Sequence, residues 1–218
     1  MYDGDAASPL MSGLYAGRSC RPDTIVETTR LARRCSKWTA YDDRRLLRFL
    51  GYCRWSAGHR LSGSLSTADD KVAVVRFWPD ADLAGNPLED ARSTLGSWIE
   101  VANSDGSRSM PIHWSGKRST TTADSTTVAE LDSMHSGLKS DAIPIVDLLE
   151  FLLRRKVVLE VLEDNTTAIQ AARDGYTPKL RHLNRTKRID LAWVKEAFED
   201  EHTALKYAES STHGDAHL

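Results

Sequence analysis

Cysteine is scarce: Cys20, Cys35 and Cys53 are the whole complement, an odd number confined to the first quarter of the 218 residues. No C-x-x-C pair occurs and no histidines stand at zinc spacing, which excludes a thiolate–imidazole zinc site and a disulfide framework. The three thiols read as buried or incidental groups in a reducing compartment. Long apolar runs are missing too. None approaches about 18 residues, so no transmembrane helix is expected. No secretory signal is present, so Asn165-Thr166-Thr167 and Asn184-Arg185-Thr186 read as chance sequons. The expectation is a cytoplasmic or nuclear protein rather than a secreted one. A G-x-x-x-x-G-K phosphate loop and a G-x-S-x-G elbow are both absent, which removes P-loop nucleotide hydrolysis and serine esterase chemistry.

Neither sign of charge dominates. There are 29 basic and 31 acidic residues, for a net charge of −2. The two signs are segregated along the chain, however. Ten arginines fall between Arg18 and Arg60, opposed there only by Asp23, Glu27, Asp42 and Asp43. A second basic stretch runs from Lys179 to Lys195, and acids collect around 80–90, 160–164 and 196–201. Such a pattern fits phosphate contact on some surfaces and metal on others, or plain solvated helix faces. A hydrophobic share of 40% over this length suits one full domain with a smaller attached segment.

Residues 1–17 are small and polar and read as a loose lead-in. Thr24–Arg34 and Ala40–Arg54 read as helices, the second with Leu46, Leu47, Phe49 and Leu50 on one side and Arg44, Arg45 and Arg48 on the other. A polar linker over 62–71 separates this segment, 1–61, from residues 72–218. Three β-rich runs follow, Val72–Trp78, Ser93–Val101 and Pro111–Lys117. Gly85-Asn86-Pro87 and Asp105-Gly106 lie in the links, which predicts an antiparallel meander. Helices are expected over Ser125–Lys139, from Pro144 onward, over Asn165–Arg173 and over Asp190–Glu201. Strands are expected at Val157–Leu162 and Ala204–Tyr207. The order β-β-β-α-α-β-α-α-β implies an α/β fold, a mixed sheet with helices packed against it.

Three acids stand where strand-like runs meet loops or helices: Asp80 past Trp78, Asp164 past Leu162, and Glu130 on the helix between them. If the first and fourth strands are neighbours, Asp80 and Asp164 end side by side, and a crossing helix brings Glu130 to the same spot. Carboxylates so gathered repel one another and become favourable around hard divalent cations, Mg²⁺ or Mn²⁺. Two such ions about 4 Å apart can activate a water and stabilise the leaving oxygen of a phosphodiester. Spacing alone leaves a second reading open: Asp80 as a turn residue, Asp164 as a helix cap and Glu130 as a solvated helix acid.

The words around these acids carry a resemblance. Phe77-Trp78-Pro79-Asp80-Ala81-Asp82-Leu83-Ala84-Gly85 resembles the aromatic-x-Asp-Ala-Asp-Trp-Ala-Gly word that opens the RNase H domain of copia-type retrotransposon polyproteins. Asp90–Gly96 looks like its Arg-Arg-Ser-Thr-Ser-Gly segment, and Pro111–Arg118 like its Ile-x-Trp-x-Ser-Lys-Lys strand. Ser125–Leu131 looks like Ser-Ser-Thr-Glu-Ala-Glu-Tyr. Glu163-Asp164-Asn165-Thr166-Thr167-Ala168-Ile169 looks like Cys-Asp-Asn-Gln-Ser-Ala-Ile, and Arg185–Asp190 like Arg-Thr-Lys-His-Ile-Asp. Six words in the family's order span residues 72–218. Ahead of them, Arg21-Pro22-Asp23-Thr24-Ile25 resembles Arg-Pro-Asp-Ile, and Leu46–Tyr52 resembles the Val-Leu-Arg-Tyr-Leu helix, both from the end of the reverse transcriptase.

The resemblance implies an RNase H-like mixed five-stranded sheet flanked by helices, behind a helical reverse-transcriptase connection remnant at 1–61. It implies hydrolysis of the RNA strand of an RNA–DNA hybrid with two Mg²⁺ or Mn²⁺ ions. Asp80, Glu130 and Asp164 would be catalytic metal ligands, with Asp82 a neighbouring alternative. Asp215, in Gly214-Asp215-Ala216, would be a fourth. Thr126, Asn165 and Thr166 would contact nucleic acid, where 2′-hydroxyls tell a hybrid from DNA, or would only cap helices. Arg185 and Lys187 would join them, and the arginines of 1–61 would face the backbone of a duplex. His182 would position phosphate or sit plainly on the surface, and His213 and His217 flank Asp215. The pattern departs at Leu83 (Trp in the family), Val128 (Glu) and Leu131 (aromatic), and the terminal word is incomplete. These departures keep a second expectation open, a catalytically inactive nucleic-acid-binding relic.

Overall fold

The computed structural model describes residues 6–65, 74–83, 91–103, 107–177 and 183–209. The chain divides into two compact units, Met1–Leu61 and Ser62–Leu218. The glycine-proline and aspartate-glycine links at 85–87 and 105–106 fall outside the described residues, as do His182, His213, Asp215 and His217.

The first unit holds three helices, α1 (Ala7–Ser19), α2 (Ile25–Ala32) and α3 (Ala40–Trp55), with 3₁₀ turns at Pro22–Thr24 and Cys35–Lys37. Leu10, Leu31, Leu46 and Phe49 form its core. The loose lead-in expected over 1–17 is therefore corrected from Ala7 onward. Its glycines serve close packing: a Cβ on Gly13 would lie 3.0 Å from Phe49 and Thr28, and one on Gly17 would lie 3.1 Å from Thr24. Thr39 and Asp42 form a capping box at the start of α3, with the Thr39 N–H donating to Asp42 Oδ2 at 2.9 Å. Part of the arginine run is neutralised inside the unit. Arg21 pairs with Asp23 at 2.7 Å, Arg34 with Asp42 at 2.6 Å and Arg45 with Glu27 at 3.0 Å.

The second unit is built on a five-stranded sheet of order β3-β2-β1-β4-β5. β1 (Val74–Asp82), β2 (Arg92–Ala102) and β3 (Ser109–Thr122) make the antiparallel meander. β4 (Val158–Glu163) lies parallel to β1, and β5 (Thr203–Tyr207) parallel to β4. β1 is central because its residues serve both neighbours: Val75 and Phe77 are fully buried, and the same strand pairs with Val101 and Ile99 on one side and with Leu159 and Val161 on the other. α4 (Thr126–Gly137) covers this sheet with Leu131 and Met134, and Gly137 sits so close to the Phe77 ring that no side chain fits between.

The two helices expected around Lys139 and Pro144 join instead through a π turn, Leu138–Ala142, which leads into α5 (Ile143–Leu153). Pro144 has no N–H and crowds the preceding turn, and a widened turn absorbs both defects. α5 is two-sided: Ile143, Ile145, Val146 and Leu149 pack half-buried against the core, while Leu148, Phe151 and Leu152 are exposed. α6 (Thr166–Asp174) starts on an Asn165 cap and ends at Gly175, whose φ of 68° suits glycine. α8 (Leu191–Glu199) starts on an Asp190 cap. A short helix the sequence reading did not separate, α7 (Leu183–Lys187), carries the Arg-Thr-Lys word. Among the described residues, no helix is long and apolar enough to cross a membrane.

Candidate functional site

β1 and β4 are neighbours, and their register sets the site. Phe77 pairs with Val161, the last pair of the ladder. Asp80 follows three residues on from Phe77, still within β1, and Asp164 three on from Val161, just past the end of β4. Pro79 explains where the ladder stops, since it has no N–H to offer β4. On the other flank Asp80 faces Gly96 of β2, and a side chain there would come within 3.3 Å of the Asp80 carbonyl. Asp80 and Asp164 are both exposed.

Glu130 comes from α4, whose first turn is fixed by the Ser125 cap. Its side chain is 8% exposed, and its Oε2 has no hydrogen-bond partner. Burial, then repulsion from Glu163, Asp80 and Asp164 in that order, pushes its carboxyl up to about 9, with the Ala81 backbone N–H working against them. The three acids singled out in the sequence thus share one electrostatic neighbourhood. Asp82, the neighbouring alternative, is engaged elsewhere: its Oδ1 accepts the Thr94 backbone N–H at 2.6 Å and fastens β1 to β2.

Sequence reasoning missed Glu163. This last residue of β4 is fully buried, with Oε1 accepting the Asn165 backbone N–H at 3.0 Å and Oε2 unpartnered. Burial raises its carboxyl to about 7. The Asn165 N–H opposes that, while Asp164 and Asp80 add to it. Glu160, three residues earlier, shows what a satisfied buried acid looks like on the same strand. Arg76 holds one of its oxygens at 3.1 Å and Lys206 the other at 2.5 Å, and together they outweigh burial and draw its carboxyl down. A signal for Glu163 was present in the sequence: an acid fills the place where the resembled word has cysteine.

The donor chemistry fits a hard divalent cation, being all carboxylate oxygen with two buried oxygens lacking any donor. The spacing is open, however. Among the described residues, no three histidine, cysteine or acidic side chains stand close enough to share one ion as they are. Asp215 lies outside the described residues.

The candidate nucleic-acid contacts divide by role. Asn165 caps α6, its Oδ1 accepting the Thr167 and Ala168 N–H groups at 3.0 and 3.1 Å. Thr166 and Thr126 are the exposed first residues of α6 and α4. Beside them an open groove of about 260 Å³ is lined by Ser125, Thr127, Thr167, Gln170, Ala171 and Asp174. Arg185 is exposed and Lys187 half-buried, both on α7.

No protein-family model matches this chain, and no curated protein matches it. Solved structures do. A foamy viral protease-reverse transcriptase in complex with RNA/DNA hybrid matches with a TM-score of 0.53 at 16% identity, over 95% of this chain and 25% of that one. RNase H1 from Halobacterium salinarum NRC-1 matches at 0.41 and 14%, over 63% of this chain and 87% of that one. An RNase H1 isolated from compost matches at 0.43 and 15%, over 64% and 86%. The mixed sheet of order β3-β2-β1-β4-β5, with its flanking helices, is an RNase H-like fold.

Proposed function

We propose that residues 72–218 form a metal-dependent RNase H-type endonuclease that hydrolyses the RNA strand of RNA–DNA hybrids. In this reading the chain derives from a copia-type retrotransposon polyprotein. Residues 1–61 are the remnant of a reverse-transcriptase connection, joined through a linker at 62–71. One observation carries the reading: Glu130, buried on α4, faces Glu163, Asp80 and Asp164, and neither Glu130 nor Glu163 has a basic partner among the described residues. Buried like charges without counter-charge are costly, and a cation is the partner that relieves them.

Asp80, Glu130 and Asp164 would hold the cations, with Asp215 as a fourth ligand. When bound there, two Mg²⁺ or Mn²⁺ ions supply an activated water and charge neutralisation at the scissile phosphate. Asp80 and Asp164, exposed at the strand ends, face the strand to be cut, while buried Glu130 anchors from behind. Thr126 and Thr166 offer hydroxyls to 2′-hydroxyls of the RNA strand, and Asn165 adds its amide beside them. Arg185 and Lys187 supply phosphate contacts that fix the register of the duplex.

A labelled RNA–DNA hybrid incubated with the full chain and Mg²⁺ or Mn²⁺ should be cut in its RNA strand. Asp80→Asn should lower the rate by at least about a hundredfold, a loss of roughly 2.7 kcal/mol of transition-state stabilisation. Cutting by the variant at the wild-type rate would sink the proposal. A second reading, a catalytically inactive hybrid-binding relic, draws on the open spacing of the carboxylates. It predicts salt-dependent hybrid binding with no cleavage in either metal.

A further inference from the structure

Glu163 is fully buried, yet only one of its oxygens is satisfied. Glu130 is in the same state, with Oε2 buried and unpartnered, and Glu163 is the foremost charged neighbour of Glu130. The backbone reaches only one oxygen of Glu163, the Asn165 N–H donating to Oε1, and the β1–β4 ladder ends at Phe77 and Val161, ahead of Glu163. Among the described residues, no lysine or arginine pairs with Glu163, whereas Glu160 on the same strand has two such partners.

The geometry points to Glu163 as a further ligating carboxylate of the metal site, taking the same divalent cation as Glu130 through their two unpartnered Oε2 atoms. This rests on the metal-dependent reading given above and adds to it a residue that the resemblance does not supply. Once both carboxyls are deprotonated they are acceptor-only, and a hard cation satisfies two such oxygens at once. The competing account is a neutral, hydrogen-bonded acid with a purely structural place. The two accounts separate on Glu163→Gln, since the amide keeps the shape and hydrogen bonds of a neutral acid but is a much poorer ligand.

The test is calorimetric titration of Mn²⁺ into the metal-free full chain, for the wild type, Asp80→Asn and Glu163→Gln, with far-UV circular dichroism as the fold control. Glu163→Gln should keep the fold and bind Mn²⁺ at least about tenfold more weakly. Wild-type affinity in Glu163→Gln, alongside weakened binding in Asp80→Asn, would overturn this inference and leave the nuclease reading standing. No Mn²⁺ binding by the wild type would overturn both. Should Glu163→Gln unfold, Glu163→Asp decides on the same terms: moving the carboxylate back by one methylene weakens a ligand and leaves a non-ligand's titration unchanged.

Discussion

At the scale of single residues, the two raised acids make stability depend on pH in an unusual direction. Glu130 has a folded value of about 9 against an ordinary 4.5, and Glu163 a folded value of about 7. Between 4.5 and those values the folded chain holds protons that the unfolded chain has released. Stability therefore falls as pH rises through the interval. Acids held low, such as Asp42 and Glu160, lose their support only in the acid range, below that window. The metal-free protein should thus melt at a lower temperature at pH 9 than at pH 7, and Glu130→Gln should flatten the difference. Parallel melting profiles for the wild type and Glu130→Gln would refute the assignment. Asn165 separates two roles in the same way. Asn165→Ala removes an acceptor from two helix N–H groups and should cost about 0.5–2 kcal/mol in urea denaturation, while Asn165→Asp keeps the cap. If Asn165 also touches nucleic acid, Asn165→Asp weakens hybrid binding while leaving stability near wild type; if it only caps, binding is unchanged. The shared neighbourhood of Asp80, Glu130 and Asp164 was legible because the words around them were distinctive. Glu163 was not, because a single acid at the end of an apolar run, Val157–Leu162, reads as a strand terminus until its burial is known.

At the scale of elements, alternation and turn chemistry made the meander legible, and the Ser125, Asn165 and Asp190 caps fixed three helix starts to within about a residue, while the β1–β4 adjacency entered only as a condition on the acids. Features set by tertiary contact were not. α1 was hidden by Gly13 and Gly17, which lower helix propensity but admit α2 and α3 at close range. The π turn was hidden because it arises only where α4 runs on into α5, just ahead of Pro144 in the first turn of α5. Gly137 lies just before this turn and holds α4 against β1, the contact that brings Glu130 over the strand ends. Gly137→Ala drives a methyl into the Phe77 ring, so α4 must lift. Despite the better helix propensity of alanine, the variant should lose about 1–3 kcal/mol in chemical denaturation. By contrast, Phe151→Glu on the exposed side of α5 should shift stability by no more than about 0.5 kcal/mol. Equal losses in the two variants would contradict this placement of the core.

At the scale of the whole molecule, each unit buries its own core, and the two clusters share no residue. The first unit has 61 residues around Leu10, Leu31, Leu46 and Phe49, a small core for a chain of that length. The second closes a five-stranded sheet over a far larger cluster and carries every acid assigned to the site among the described residues. Separate cores of unequal size imply separate cooperative transitions, the smaller unit giving way first. Tryptophans report on both: Trp38 and Trp55 lie in the first unit, and Trp78, Trp98, Trp114 and Trp193 in the second. Urea denaturation followed by fluorescence should show an early transition that disappears in a Trp38→Phe, Trp55→Phe double variant, and a later one that remains. Mn²⁺ should move only the later transition to higher urea, because a ligand stabilises the unit that binds it. A single transition, shifted as a whole by metal, would show instead that the two units unfold together.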